Sequence, residues 1–514
     1  MKAPGALALA GAFGAGAATV FAFAPFDLWA LPVVTLALLM LRWQRASRSR
    51  EAAWLGFAFG LGLFGVGVPW VYIALNTFGG MAAPLAAIGT AGMCAFLALY
   101  PALAGALAVR WTAPGSWPRT LAAAAAWTLA EWARSVVFTG FPWLSIGYSA
   151  LPDGSAGLFA GYAPVGGVFQ VTFAMALAAA ALALAIDAFA ISARVRGGML
   201  LATIAAIAAG GAALGRIEWT SPAGSPVTVS LVQGNVAQDL KFDPDFRRST
   251  FRIYADLVIA SRGRLVVLPE SAFPVFVDEI PEPLLQFLVR TAAARDGDVL
   301  VGLFTADPPA TAGGQPRYYN SVVSLGAAEP QLYRKRHLVP FGETIPLEPV
   351  LGYLIRTMLA IPLASQSAGE PDPLPLAVGG QQVAVNICYE DAFGADIRTQ
   401  AAAATLLVNV TNDAWYGRSL AAEQHNQIAA MRALETGRPL LRATNTGITS
   451  AFGHDGRQIA RLPWFTRGIL EVEITGRQGV TPYVRWGDGL AAAIAAATFL
   501  CALAARRRNS EPGG

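Results

Sequence analysis

At 514 residues the chain has room for two or more domains. Hydrophobic residues make up 55% of it and charged residues only 14%, against roughly 25% charged in soluble proteins, which argues against a purely soluble fold. A net charge of +4 with no basic module argues against a nucleic-acid partner. The three cysteines, Cys94, Cys388 and Cys501, lack CxxC spacing and argue against a disulfide framework or cysteine-bound metal.

Apolar runs approaching the ~20 residues that cross a bilayer are read at about 5–24, 27–43, 53–75, 82–110, 118–138, 167–192 and 198–215. An eighth lies at 488–505. The chain thus divides into a membrane domain at 1–216 with seven transmembrane helices, a mixed domain at 220–480 and a C-terminal transmembrane helix. A signal peptide at 1–24, with Lys2 as its basic end, is set aside because further spans follow at once. Arg42, Arg45, Arg48, Arg50, Arg110, Arg119, Arg194, Arg196 and the triplet Arg506–Arg508 all fall on one side of an eight-span arrangement. That side is expected to be cytoplasmic, which puts residues 220–480 on the periplasmic side of a bacterial inner membrane. The aromatic, glycine-rich stretch 138–166 reads as an interfacial belt. Glu131 and Arg134 near it read as a snorkelled ion pair or a lipid-headgroup contact.

Within 220–480, strand-like runs occur at Val227–Val232, Leu265–Leu268, Val299–Phe304, Tyr319–Leu325, Val383–Ile387, Thr405–Val410, Leu440–Ala443, Ile448–Phe452 and Ile469–Ile474. Helical patterns fit at 246–261, 282–296 and 420–436, and 308–317 reads as a surface loop. This alternation predicts an α/β sandwich. Glu270 ends a strand after Leu265–Pro269, Lys335 lies in a basic run, and Cys388 directly follows Val383–Ile387. Strand ends are where such folds hold working groups. A thiol needs a base to take its proton, and a nearby ammonium can favour the thiolate and later hold an oxyanion. Taken singly, each residue has a bland alternative as core or surface. Their order and strand contexts carry the signal.

These segments resemble the carbon–nitrogen hydrolase (nitrilase) superfamily, whose triad is Glu, Lys and Cys in that order, and the resemblance implies an α-β-β-α sandwich. Tyr333-x-Lys335-x-His337-Leu338-Val339-Pro340-Phe341-Gly342-Glu343, Asn386-Ile387-Cys388-Tyr389-Glu390 and Asn412-Asp413-Ala414-Trp415-Tyr416-Gly417 further resemble the bacterial apolipoprotein N-acyltransferase family. So do Leu231–Asn235 and Thr481-Pro482-Tyr483. The flanking spans extend that resemblance over nearly the whole chain. It implies ping-pong acyl transfer, the last step of bacterial lipoprotein maturation. Cys388 would take the sn-1 acyl chain of a phospholipid, phosphatidylethanolamine above all, as a thioester. The amino group of a diacylated apolipoprotein would then accept it. Glu270 is implied as general base, Lys335 as oxyanion holder and Glu343 as its partner. Tyr389, Glu390 and Trp415 are implied to shape the pocket and acyl path.

No cofactor is expected. His337, His425 and His454 share no metal-ligand spacing and read as structural, and no Walker string is present. The bilayer and the two lipid substrates are the expected partners of a monomer. Two other readings remain open on residues alone: a membrane-tethered amidase that passes the acyl group to water, and a transporter or receptor with an inactive nitrilase-like domain.

Overall fold

The computed structural model describes residues 4–152, 156–309, 315–345 and 366–508. The chain clusters into two units. The first comprises residues 1–69, 87–218 and 485–514, the second 70–86 and 219–484. The inclusion of Trp70–Ala86 in the second unit has no counterpart in the hydropathy pattern.

Each of the eight apolar runs contains a helix: Ala6–Thr19, Leu31–Arg45, Ser49–Gly67, Ala83–Arg110, Trp117–Arg134, Ala163–Ala190, Arg194–Leu214 and Asp488–Arg508. Among the described residues four of these are long and apolar enough to cross a membrane unaided, or five if Ser49–Gly67 continues through Trp70–Phe78. Within the first unit, Ala6–Thr19 packs on Ser49–Gly67 by close backbone approach. A Cβ on Gly62 would collide with the carbonyl oxygen of Phe13, and one on Gly16 with that of Phe59. Small residues let apolar helices meet without a hydrophobic driving force between them.

The stretch 138–166, expected as an interfacial belt, mixes exposed and buried aromatics: Phe138 is 78% exposed. Trp143 and Tyr148 are each only 1% exposed, packed inside the first unit. Glu131 and Arg134 are buried as well, which does not fit a snorkelled ion pair. Glu131 accepts from Trp127 Nε1 at 3.0 Å, the Ile146 amide at 3.1 Å and Thr172 Oγ1 at 2.8 Å. Arg134 donates to the carbonyls of Phe141 and Trp143. Both charges are thus drawn into closing the irregular chain after the helix, because buried polar backbone must find partners.

The second unit is a two-sheet sandwich. Its strands, in chain order, are β1 Ser221–Gln233, β2 Leu265–Val267, β3 Asp298–Asp307, β4 Arg317–Gly326, β5 Leu332–Arg334, β6 Leu376–Val378, β7 Gln381–Ile387, β8 Leu406–Thr411, β9 Leu440–Thr444, β10 Ser450–Phe452, β11 Gln458–Arg461 and β12 Gly468–Gln478. One sheet runs β12-β1-β2-β3-β4-β5, the other β11-β10-β9-β8-β7-β6. In each the central trio is parallel (β1-β2-β3 and β7-β8-β9) and the flanks antiparallel. Parallel strands covered on both faces read as continuous apolar runs, which is why β2 is all Leu and Val.

Leu231, Val267, Leu300 and Val322 of one sheet meet Val385, Ile387, Val408 and Leu441 of the other in the central core. Helices Arg247–Ala260 and Glu282–Ala293 cover the outer face of the first sheet through Phe251, Tyr254, Val258 and Leu288. Helices Gly394–Ala401 and Ala421–Thr436 pack on the second. The result is the expected α-β-β-α layering. The expected loop 308–317 joins β3 to β4, with 310–314 outside the described residues.

Candidate acyl-transfer site

Four strand ends converge on one place. Glu270 follows β2, Lys335 follows β5, Cys388 follows β7, and Asp413 lies just past β8. Glu270, Lys335 and Cys388 are 7%, 1% and 6% exposed, so all three lie in a low-dielectric interior. Lys335 Nζ donates to Glu343 Oε1 at 2.8 Å and sits 3.7 Å from Glu270 Oε1. Asn320 on β4 holds both carboxylates, donating to Glu270 Oε1 at 2.7 Å and to Glu343 Oε1 at 3.4 Å. The Val339 amide donates to Glu343 Oε2 at 2.9 Å. Close approach of β3 beneath Glu270 requires Gly302, since a Cβ there would lie 2.9 Å from the Cα of Glu270.

Cys388 has φ +54°, a left-handed backbone that a non-glycine residue adopts only when its surroundings hold it. Asn409 Nδ2 does part of that, donating to the Cys388 carbonyl at 3.2 Å and to Asn386 Oδ1 at 2.5 Å. Burial pushes the thiol well above its ordinary range and Glu270 adds to this, while Lys335 pulls it down. The resting sulfur is therefore protonated, and its nucleophile arises only as a base takes the proton. For Lys335 burial opposes the charge, but Glu343, Glu270 and Cys388 overcome it and raise its pKa, so the ammonium is permanent. A fixed cation between two carboxylates beside a thiol can stabilise an oxyanion without itself moving a proton.

The remaining sequence-predicted residues have contacts of their own. Glu390 has its carboxylate filled by protein donors: Tyr333 Oη at 2.7 Å and the amides of Ile387, Arg336 and His337 at 2.6, 2.6 and 3.0 Å. It ties the lysine strand to the cysteine turn, and burial raises its pKa. Tyr389 is buried edge-on to Phe393, with ring centroids 5.0 Å apart. Trp415 meets Phe78 at 6.1 Å, and Tyr416 meets Trp70 at 4.6 Å. His337 bonds Asp396 at 3.0 Å and stacks on Phe393.

Sequence reasoning missed two features. One is a closed ring behind Cys388. His425 bonds Asp413 at 2.8 Å and Asp391 at 2.7 Å, while Arg442 donates to Asp391 at 2.8 Å and Asp413 at 3.0 Å. The signal available was the set of polar residues inside otherwise apolar strands and a helix. The other is Lys241, one of only three lysines, whose Nζ donates to the Glu270 carbonyl at 3.0 Å. No group of three or more His, Cys, Asp or Glu among the described residues is placed to hold a metal ion.

Two family models match. The apolipoprotein N-acyltransferase N-terminal domain covers residues 15–181, and carbon-nitrogen hydrolase covers 228–483. The apolipoprotein N-acyltransferase of Nitrosomonas europaea is 46% identical over 507 residues, spanning 98% of this chain and 99% of that protein. That of Methylococcus capsulatus is 43% identical over 493 residues, spanning 96% of this chain and 95% of that one. Among solved structures, an amidase from Nesterenkonia sp. is similar at 19% identity and a TM-score of 0.35, covering 49% of this chain and 92% of that one.

Proposed function

The chain belongs to the apolipoprotein N-acyltransferase family, and from that premise we propose how its own residues carry out the transfer. Its activity is that of an acyltransferase of lipoprotein maturation, acting on apolipoproteins.

In the first half-reaction Cys388 Sγ attacks the sn-1 carbonyl of a phospholipid, phosphatidylethanolamine being the expected donor, as its proton passes to Glu270. Lys335 and a main-chain N–H after Cys388 meet the tetrahedral oxyanion. The ester C–O bond breaks, Glu270 returns the proton to the departing alkoxide, and a lysophospholipid leaves a thioacyl enzyme. In the second, the neutral α-amino group of a diacylated N-terminal cysteine attacks the thioester. Glu270 takes a proton from the nitrogen and gives it to the leaving sulfur.

Glu343 keeps Lys335 charged and in place. Tyr389 and Trp415 shape the pocket and acyl path, and Glu390 acts through the segments it ties together. The observation that carries this reading is the buried Lys335, held between Glu343 and Glu270 and within the field of the Cys388 thiol.

All eight helices span the membrane in this reading. The arginine-rich loops share one end of the first unit, which supports a common side: Gly115 N donates to Gln44 O at 3.1 Å, Arg196 to Gly115 O at 3.3 Å, and Arg45 pairs with Asp187 at 2.6 Å. With that end cytoplasmic, a monomeric enzyme of the inner membrane carries its catalytic unit on the periplasmic side.

The test is intact-protein mass measurement after incubation with a phospholipid labelled in its sn-1 chain. An acyl-sized adduct is expected on Cys388, absent from Cys388→Ala, and removed by a diacylated lipopeptide with the label recovered as amide. Label recovered only as free fatty acid would favour the amidase reading. An adduct that persists in Cys388→Ala would sink the assignment of the nucleophile.

A further inference from the structure

Glu270 has two buried lysines beside it. Lys335 is tied to carboxylates, as described above. Lys241 ends the short helix Gln238–Lys241 after β1 and is only 2% exposed. Its Nζ donates to the main-chain oxygen of Glu270 at 3.0 Å, and no carboxylate lies within ion-pair distance of it among the described residues. Glu270 and Cys388 are the titratable groups whose charges act on it.

The segment carrying Lys241 is pinned to the second sheet's loops. Asn235 N donates to Asn445 O at 2.9 Å, Val236 N to Asn445 Oδ1 at 2.9 Å, and Asn445 Nδ2 to Val236 O at 2.8 Å. Asn412 Nδ2 donates to Gln238 Oε1 at 2.8 Å. The framework, not a salt bridge, thus sets where this ammonium sits. Burying an ammonium without an ion-pair partner costs several kcal/mol, so a sequence with three lysines that buries one in this way places it against a destabilising cost. Negative charge builds during the reaction at one of the two groups that act on it, the Cys388 sulfur.

We propose that Lys241, as an ammonium, is a positioning residue of the acyl-transfer centre that fixes the Glu270 main chain and sets a second positive charge acting on the sulfur. This rests on the reading of Cys388 as the acylated nucleophile. Lys241 keeps its protons throughout: the thiol proton still goes to Glu270 and then to the leaving alkoxide. The two lysines differ in one measurable way. Lys335 stays charged, whereas burial lowers Lys241 to about 8 against the opposing pull of Glu270 and Cys388.

The experiment follows the rate of adduct formation on Cys388 in the full-length protein, with phosphatidylethanolamine in detergent micelles, across the lysine titration range. The wild-type rate is expected to fall as pH rises through about 8. Lys241→Met is expected to be slower at neutral pH by at least about tenfold, with no fall near that pH. In Lys241→Arg, whose guanidinium stays charged, the fall moves to higher pH. A folded Lys241→Met with the wild-type rate and profile overturns the proposal, and so does a Lys241→Arg that falls where the wild type does. If Lys241→Met does not fold, the arginine comparison alone decides. A wild type that forms no adduct on Cys388 overturns the nucleophile reading and this proposal with it.

Discussion

Glu343→Gln isolates the part played by the second carboxylate. At an effective dielectric of about 20, a unit charge pair at the Lys335–Glu343 distance of 2.8 Å attracts by about 6 kcal/mol, and one at the Lys335–Glu270 distance of 3.7 Å by about 4.5 kcal/mol. Glu343 is therefore the stronger counter-charge. An amide in its place keeps a hydrogen-bond acceptor but removes that attraction. Lys335 is then left with Glu270 as its carboxylate partner, and a base held in a tight ion pair takes a proton less readily. Lys335, proposed to hold the oxyanion, also loses its fixed position. Together these should slow acylation of Cys388 by about 10²–10³-fold, in line with the loss of one preorganised donor. The rate is read as adduct mass against time with phosphatidylethanolamine, with thermal unfolding checking that the variant is folded. A folded Glu343→Gln that acylates within about threefold of wild type would refute the reasoning. Glu343→Asp, which keeps the charge on a shorter arm, should recover part of the loss.

Three further outcomes follow from the geometry. Arg442→Met leaves Asp391 and Asp413 buried with His425 as the remaining cation of the ring, and should destabilise the catalytic unit by about 3–5 kcal/mol, read by urea unfolding followed through tryptophan fluorescence. For His425, burial and Arg442 work against protonation, but Asp391 and Asp413 outweigh them and raise its pKa. A raised folded-state pKa stabilises fully below the unfolded value of about 6.5 and is lost as pH rises through the folded value, so the unfolding midpoint should drop on the alkaline side. His425→Gln should flatten that slope, and an unchanged slope counts against the ring as its source. Gly62→Leu drives a side chain into the Phe13 carbonyl and should lower the melting temperature of the membrane unit; unaltered melting would mean the two helices do not meet there.

Much of the catalytic unit could be read from periodicity. All nine expected strands exist, because central parallel strands such as β2, all Leu and Val, and β8, mostly so, carry a signal that survives without neighbours. The three that escaped notice, β5, β6 and β11, are edge strands of only three or four residues, too short to show a period. They exist only because a partner strand is beside them. Glu270, Lys335 and Cys388 could be picked out because each sits in a recognisable string at a strand end. Asn320, Lys241 and the His425–Arg442 ring could not, since their importance comes from contacts between residues far apart in the chain. The burial of part of the stretch 138–166 was hidden for a related reason. Its aromatic content suits a headgroup layer equally well as a packed loop, and only the buried positions of Trp143 and Tyr148 tell the two apart.

The order of the strand ends has a consequence for a chain as it is made. The carboxylate after β2 and the ammonium after β5 belong to one sheet, whose last strand, β12, is made only after the whole of the other sheet, which carries the sulfur after β7. Neither half holds a working centre. The three groups meet only once both sheets are packed together, and the sheet that holds the carboxylate and the ammonium is complete only when the last strand of the chain has been laid against β1.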